Sequence, residues 1–355
     1  MSGRPRTLGE ALTGPHNGFG ALRLALAVAV VVSHAFSVTT GRVADEPLHR
    51  LTGYTLGEHA VNGFFAISGF LVTMSFTTRG WRDYVVARLL RIGPGLVAAT
   101  LAVAFLLGPI LTALPPGAYF ASTDLWRFVL RTLTTFKSSA ALPGLFTGNP
   151  FTFPMGTVWT LKYETLCYAG VLAAGLAGVL ARRGAALALA FALFLALIAA
   201  GFVGPPPTAL RLAFLFAAGA ALYLWRDRVP VLPWPSLALL AASLVLSGTE
   251  LYPALLFAGS ALAVITLAFA PALARPSLAL RRDLSYGTYL YGWPIQQSLR
   301  QLWPGADPLT LLVPSLALTL VMAALSWQLV EAPALALKGR LLRAAPASAP
   351  RPATP

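Results

Sequence analysis

An arginine and a histidine stand 11 positions apart in an otherwise apolar stretch: Arg23 and His34, within GALRLALAVAVVVSH. At 100° per residue a helix turns both onto one face, about 16 Å apart along its axis. Ionisable groups inside a membrane helix are expensive and by default mark a functional path. Imidazole titrates near neutral pH and suits proton transfer, while a guanidinium suits a phosphate, a carboxylate or a developing oxyanion. A snorkelling Arg and a helix-end His are the structural alternatives.

Other polar groups interrupt the apolar background. Arg88 and Arg91 are spaced i, i+3, a fork for phosphate or simply loop charge. Glu164 in TVWTLKYETLCY is a carboxylate within an apolar run and needs a partner or a wet cavity. Lys162, two positions away, falls on another face and is expected to snorkel. Ser68 in GFFAISGFL is a rival nucleophile, though Gly63, Ser68 and Gly69 also suit close helix packing. Trp159, Tyr286, Tyr289 and Gln296 could wall a sugar site or form an interfacial belt. The other histidines, His16, His49 and His59, lie outside the spans or at their edge.

What must position these groups is a membrane bundle. The chain of 355 residues is 57% hydrophobic and only 11% charged, against about a quarter charged in soluble domains. We expect an all-α polytopic protein with about ten spans, near 20–39, 59–78, 86–113, 156–180, 185–203, 207–225, 231–247, 251–271, 284–303 and 308–334. Pro94 should interrupt the third. Arginines cluster on the side holding the N-terminus (Arg79, Arg82, Arg88, Arg91, Arg182, Arg183, Arg226, Arg228), while Arg42, Arg50, Arg127, Arg131 and Arg211 fall opposite. This bias predicts both termini in the cytoplasm. It also accounts for the net charge of +14 without nucleic acid. One cysteine excludes an internal disulfide and a cysteine-based metal centre. Two opposite-side segments, 40–58 and 114–155, are long enough to have a task such as covering a site, and Asp124–Phe136 reads as amphipathic.

In their order, Arg23 and His34, GFFAISGFL, RLLRI, TVWTLKYETLCY, LSYGTYLYGWPIQQ and WQLVEAP resemble the membrane-bound acyltransferase-3 family of bacterial O-acyltransferases. The resemblance runs from about Asn17 to Lys338. It implies a cytoplasmic tail over 1–18, a transmembrane acyltransferase domain over 19–338 and a disordered tail over 339–355. It implies transfer of an acyl group, usually acetyl from acetyl-CoA, to a carbohydrate hydroxyl, with no metal. Arg23, His34 and Glu164 inherit catalytic roles, and Arg88, Arg91 and Arg23 donor binding. Glu164 is expected to orient His34. Ser68, Trp159, Tyr286, Tyr289 and Gln296 would face the acceptor. Gly292 stands where many members have His. A transporter or flippase of a lipid-linked sugar or acyl group is the competing reading.

Overall fold

The structure is a computed structural model and describes residues 4–278, 280 and 282–344. Apart from one bridge between Thr7 and Pro230, the regular structure of the described residues is helical. The principal helices are α1 (Phe19–Thr40), α2 (Leu56–Arg79), α3 (Trp81–Ala102), α4 (Thr123–Thr135), α5 (Trp159–Leu176), α6 (Arg183–Gly201), α7 (Thr208–Leu224), α8 (Trp234–Val245), α9 (Leu251–Leu267), α10 (Ser285–Leu302) and α11 (Pro308–Ser326). A π turn at Val103–Leu107 extends α3, and another at Trp327–Glu331 extends α11.

Five helical stretches are long and apolar enough to cross a membrane: Phe19–Thr40, Leu56–Arg79, Trp81–Leu111, Arg183–Gly201 and Pro308–Arg343. Helices α7, α8 and α9 are apolar but shorter. Helices α5 and α10 carry more polar groups, and in α10 those groups are buried. Helix α4 is the amphipathic piece foreseen at Asp124–Phe136, with Leu125 and Phe128 buried and Trp126 and Leu130 exposed.

Helix α2 is central, packed against α1, α3, α5, α7 and α9. Its start is fixed by a capping box in which Thr55 and Glu58 satisfy each other's backbone N–H groups at 2.9 and 3.0 Å. Its middle depends on small residues. A Cβ at Gly69 would stand 2.0 Å from the Phe216 carbonyl oxygen of α7, and one at Gly219 would stand 2.0 Å from that of Ala66. Helices α1 and α10 run side by side and parallel. They close up at Gly292, where a Cβ would lie 2.7 Å from Val31 Cγ2. A histidine there would force the two helices apart.

Three expectations change. Pro94 does not interrupt α3, which runs on past it. Membrane helices tolerate proline where neighbours pack against them; Gly95, next to it, lies against the Tyr286 ring, whose hydroxyl donates to the Ile92 carbonyl at 2.8 Å. Arg211, counted as an opposite-side charge, is 4% exposed inside the bundle. The N-terminal segment is docked, with Leu8 N–H on Val229 O at 2.8 Å and Val231 N–H on Arg6 O at 2.7 Å. At the other end, Lys338–Ala344 is helical; the rest of the tail expected to be disordered lies outside the described residues.

Candidate active site

Where α1, α2, α3, α5 and α10 meet lies a cavity of about 50 Å³, room for roughly three or four waters. Its polar wall comes from Arg23, Ser68, Arg91, Glu164, Ser285 and Tyr289, and Tyr286 and Phe64 add aromatic surface. Five helices thus each contribute a polar side chain to one small space.

The cationic end is organised by a carboxylate that sequence reasoning assigned no role. Arg23 Nη1 donates to Asp283 Oδ2 at 2.9 Å, and Arg91 Nη2 stands 2.9 Å from the same oxygen. Asp283 lies just ahead of α10, where helix N–H groups favour negative charge. Its other oxygen accepts from Ser285 N at 3.2 Å and Ser285 Oγ at 2.5 Å. Arg91 also sits over the Tyr286 ring at 5.4 Å and 3.9 Å from Glu331 Oε2. Glu331 closes the π turn of α11, is 3% exposed and accepts from Ser326 Oγ at 2.9 Å. A second buried acid therefore balances the second arginine.

The opposite wall joins Glu164 to Ser68. Ser68 Oγ donates to Glu164 Oε1 at 3.3 Å, and the Tyr168 hydroxyl, one turn along α5, donates to the same oxygen. Tyr84 in turn donates to the Tyr168 carbonyl at 2.9 Å. Tyr289 stitches α10 to the TVWT segment: its hydroxyl meets Thr160 Oγ1 at 2.6 Å and Thr157 O at 3.0 Å, and Thr157 Oγ1 donates to Tyr289 O at 3.0 Å.

His34 stands outside this cavity, beside Trp293, which lies one turn beyond Tyr289 on α10 (about 6 Å). The imidazole meets the indole edge-on at 5.0 Å. Phe153 stacks on that indole at 5.4 Å and accepts its N–H through its carbonyl at 2.8 Å. Gly156 lies flat on the ring, where a Cβ would fall 2.4 Å away. The long segment before α5 therefore covers the layer that holds His34. Among the described residues the imidazole has no hydrogen-bond partner, and its contact is the Trp293 edge.

Several sequence-based expectations are revised by this geometry. Glu164 does not hold His34; its partners are Ser68 and Tyr168. Arg88 and Arg91 do not share a face of one site: Arg91 lines the cavity, whereas Arg88 lies over Tyr168 at 5.5 Å and opens on a separate groove. Trp159 packs edge-on against Tyr163 at 6.0 Å rather than lining the cavity. Gln296 is fully buried and donates to Val31 O at 2.8 Å, tying α10 to α1 one turn before His34. Lys162 is exposed, as its helix face predicts. The missed acids were findable: Asp283 heads the LSYGTYLYGW motif, and Glu331 is a lone acid near the end of an apolar helix, the criterion that singled out Glu164.

An arrangement with two guanidinium groups, a serine–glutamate–tyrosine chain and an unpaired imidazole suits acyl transfer to a hydroxyl. That reaction needs a base for the alcohol and positive charge for the oxyanion. The acyltransferase-domain profile of the acyltransferase 3 family matches residues 16–329. An "O-acetyl transferase" of Shigella phage Sf6 is 29% identical over 89% of this chain and 95% of its own. "Nodulation protein 10" of Rhizobium leguminosarum bv. viciae is 30% identical over 94% of this chain and 97% of its own. No solved structure matches the chain. The family, the long apolar helices and the buried polar site agree: this chain belongs to the acyltransferase 3 family and is a multi-pass membrane acyltransferase.

Proposed function

We propose that the protein moves a short acyl group, acetyl foremost, from acyl-CoA to a carbohydrate hydroxyl at the bacterial inner membrane. The observation that carries this reading is the convergence of Arg23 and Arg91 on one carboxylate at the edge of a cavity of about 50 Å³. That volume favours an acetyl-sized group, and the two cations suit the thioester oxygen or the donor's phosphates. The O-acetyl transferase of phage Sf6 supports acetyl as the group. Both termini then lie in the cytoplasm, with Arg23 toward the donor side and His34 toward the acceptor.

In this scheme the His34 imidazole takes the proton of the acceptor hydroxyl as its oxygen adds to the thioester carbon. Arg23, about 16 Å back along α1 and steadied by Asp283, holds the donor's phosphates from the cytoplasmic side. Collapse breaks the carbon–sulfur bond, and the proton on His34 passes to the departing thiolate, leaving an ester and free CoA. Ser68 and Tyr289 orient the acyl group, Tyr286 and Glu164 complete the wall, and no metal is required. The acceptor is a surface or exported polysaccharide.

Purified protein in lipid nanodiscs, given labelled acetyl-CoA and a panel of bacterial glycans, should release CoA thiol and form a glycan ester in equal amounts. His34→Ala should lower that rate by about 10²–10⁴, the usual share of a general base, with an unchanged melting temperature. Ester formation at the wild-type rate in His34→Ala would remove the histidine from the scheme. CoA release without ester on every glycan offered would overturn the carbohydrate assignment.

A further inference from the structure

Arg88 is the arginine that the reaction scheme leaves unused, and it is the unusual one. Arg23, Arg91 and Arg211 each hold a carboxylate. Among the described residues Arg88 has none within 4.0 Å, and its Nε is buried without a partner. The neighbouring hydroxyls donate elsewhere, Tyr84 to Tyr168 O and Tyr168 to Glu164, and among the described residues neither accepts from Arg88. A partly buried cation in a low-dielectric wall calls for an anion.

The space in front of it says what kind. A groove of about 350 Å³ runs between α3, α5 and the end of α4. Along α3 it extends from Tyr84 to Val97, about 20 Å at 1.5 Å per residue, with Arg88 one turn in from the Tyr84 end. Its lining is almost wholly apolar apart from the Arg88 end, and Leu89 and Val97, 67% and 42% exposed, stand at its edge. That volume spread over that length leaves a cross-section of roughly 18 Å², enough for one hydrocarbon chain and not for two abreast.

We infer that this groove binds a single-chain lipid phosphate, with the hydrocarbon along Leu89, Leu96, Val97, Leu133 and Leu172 and the phosphate on the Arg88 guanidinium above Tyr168. Guanidinium and phosphate form strong charge-assisted hydrogen bonds, and the bilayer delivers the chain sideways. Ile92 lines both this groove and the reaction cavity, and Tyr168 links the two through Glu164. A phosphate on Arg88 therefore lies directly behind the wall of the acyl-transfer site. The binding does not rest on the function proposed above, in which the acceptor enters from the His34 side.

The test uses the full chain in nanodiscs of phosphatidylcholine and a photoreactive farnesyl monophosphate, with labelled peptides mapped by mass spectrometry. Labels should fall within 88–97, 133–136 and 165–172. Unlabelled farnesyl monophosphate should compete, while farnesol and phosphatidic acid should compete at least tenfold less well. Gly93 lines the groove, and a Cβ there meets nothing within 4 Å, so Gly93→Leu should fill the space and abolish labelling without unfolding the protein. Arg88→Gln should weaken competition by the phosphate at least tenfold. Labels elsewhere, equal competition by farnesol, or equal competition by phosphatidic acid would each overturn the proposal. Protection by acetyl-CoA alone would reassign the groove to the donor. No acyl transfer is measured, so failure here and failure of the acyltransfer scheme are separate results.

Discussion

Two arginine sites inside this protein look alike by distance and differ in burial, stoichiometry and surroundings. Arg211 of α7 reaches Glu58 of α2 at 2.9 Å, with the Tyr54 and Phe257 rings at 5.5 and 5.9 Å. One cation meets one carboxylate, and the same Glu58 caps its own helix. Arg23 and Arg91 instead share one oxygen of Asp283, also at 2.9 Å, beside a cavity. Arg91 Nη2, though close, makes no hydrogen bond of good geometry. Arg211 likewise leaves its Nε without a partner, so spare donors do not separate the sites. What separates them is access: only Arg23 and Arg91 border the cavity, where an anion can reach them.

The contrast is broken most directly by exchanging each arginine for glutamine. Arg23→Gln should lower kcat/KM for the acyl donor by at least about 100-fold, equivalent to roughly 2.7 kcal/mol of donor binding, and leave thermal unfolding in detergent nearly unchanged. Arg211→Gln should do the reverse. Breaking a buried pair costs about 3–5 kcal/mol, so the melting temperature should fall by several degrees while the folded fraction keeps its turnover rate. If both variants lost activity without losing stability, the two sites would not be different in kind.

Asp283→Asn sharpens the comparison by one charge. It leaves two guanidinium groups facing each other without their shared carboxylate, so they should drift and repel. We expect kcat/KM for the acyl donor to fall about tenfold, one hydrogen bond to a charged group being worth about 1.5–3 kcal/mol, with KM changing more than kcat. A fall in stability alone would place Asp283 with Glu58. The smallest effect is expected of Tyr168→Phe, which removes one donor from Glu164 but keeps the ring under Arg88. A loss of about threefold to tenfold in transfer rate should follow, and no change would show that Ser68 alone suffices to hold the carboxylate.

How far the sequence disclosed this arrangement follows from range. Each expected span has a helix at its core, because apolar runs, capping residues such as Thr55 and stop signals such as Gly41 are local facts. The cost of a charge in an apolar helix singled out Arg23 and Glu164, and the i, i+3 spacing singled out Arg91 together with Arg88. Neither could say which acid meets which base. Asp283 and Arg23 are 260 positions apart, and Glu164 and Ser68 are 96 apart, so their pairing is a property of helix packing alone. Arg88 and Arg91 illustrate the same limit from the other side: i, i+3 spacing predicts a shared face, yet side chains on adjoining parts of that face enter different spaces. Arg211 was counted only as an opposite-side charge, and its burial is explained by Glu58, 153 positions away.

The crossing of α2 and α7 has a consequence for how such a chain can change over generations. Gly69 and Gly219 each leave no room for a methyl group because the other helix's backbone is there. An ordinary packing clash is relieved when the neighbour becomes smaller. Here the obstacle on either side is a carbonyl oxygen, and no substitution shrinks a carbonyl. Neither glycine has a compensating partner to wait for, so the two can be lost only if the helices separate. Ser68, one position from that crossing, is held in the site by the part of the molecule with the least freedom to drift.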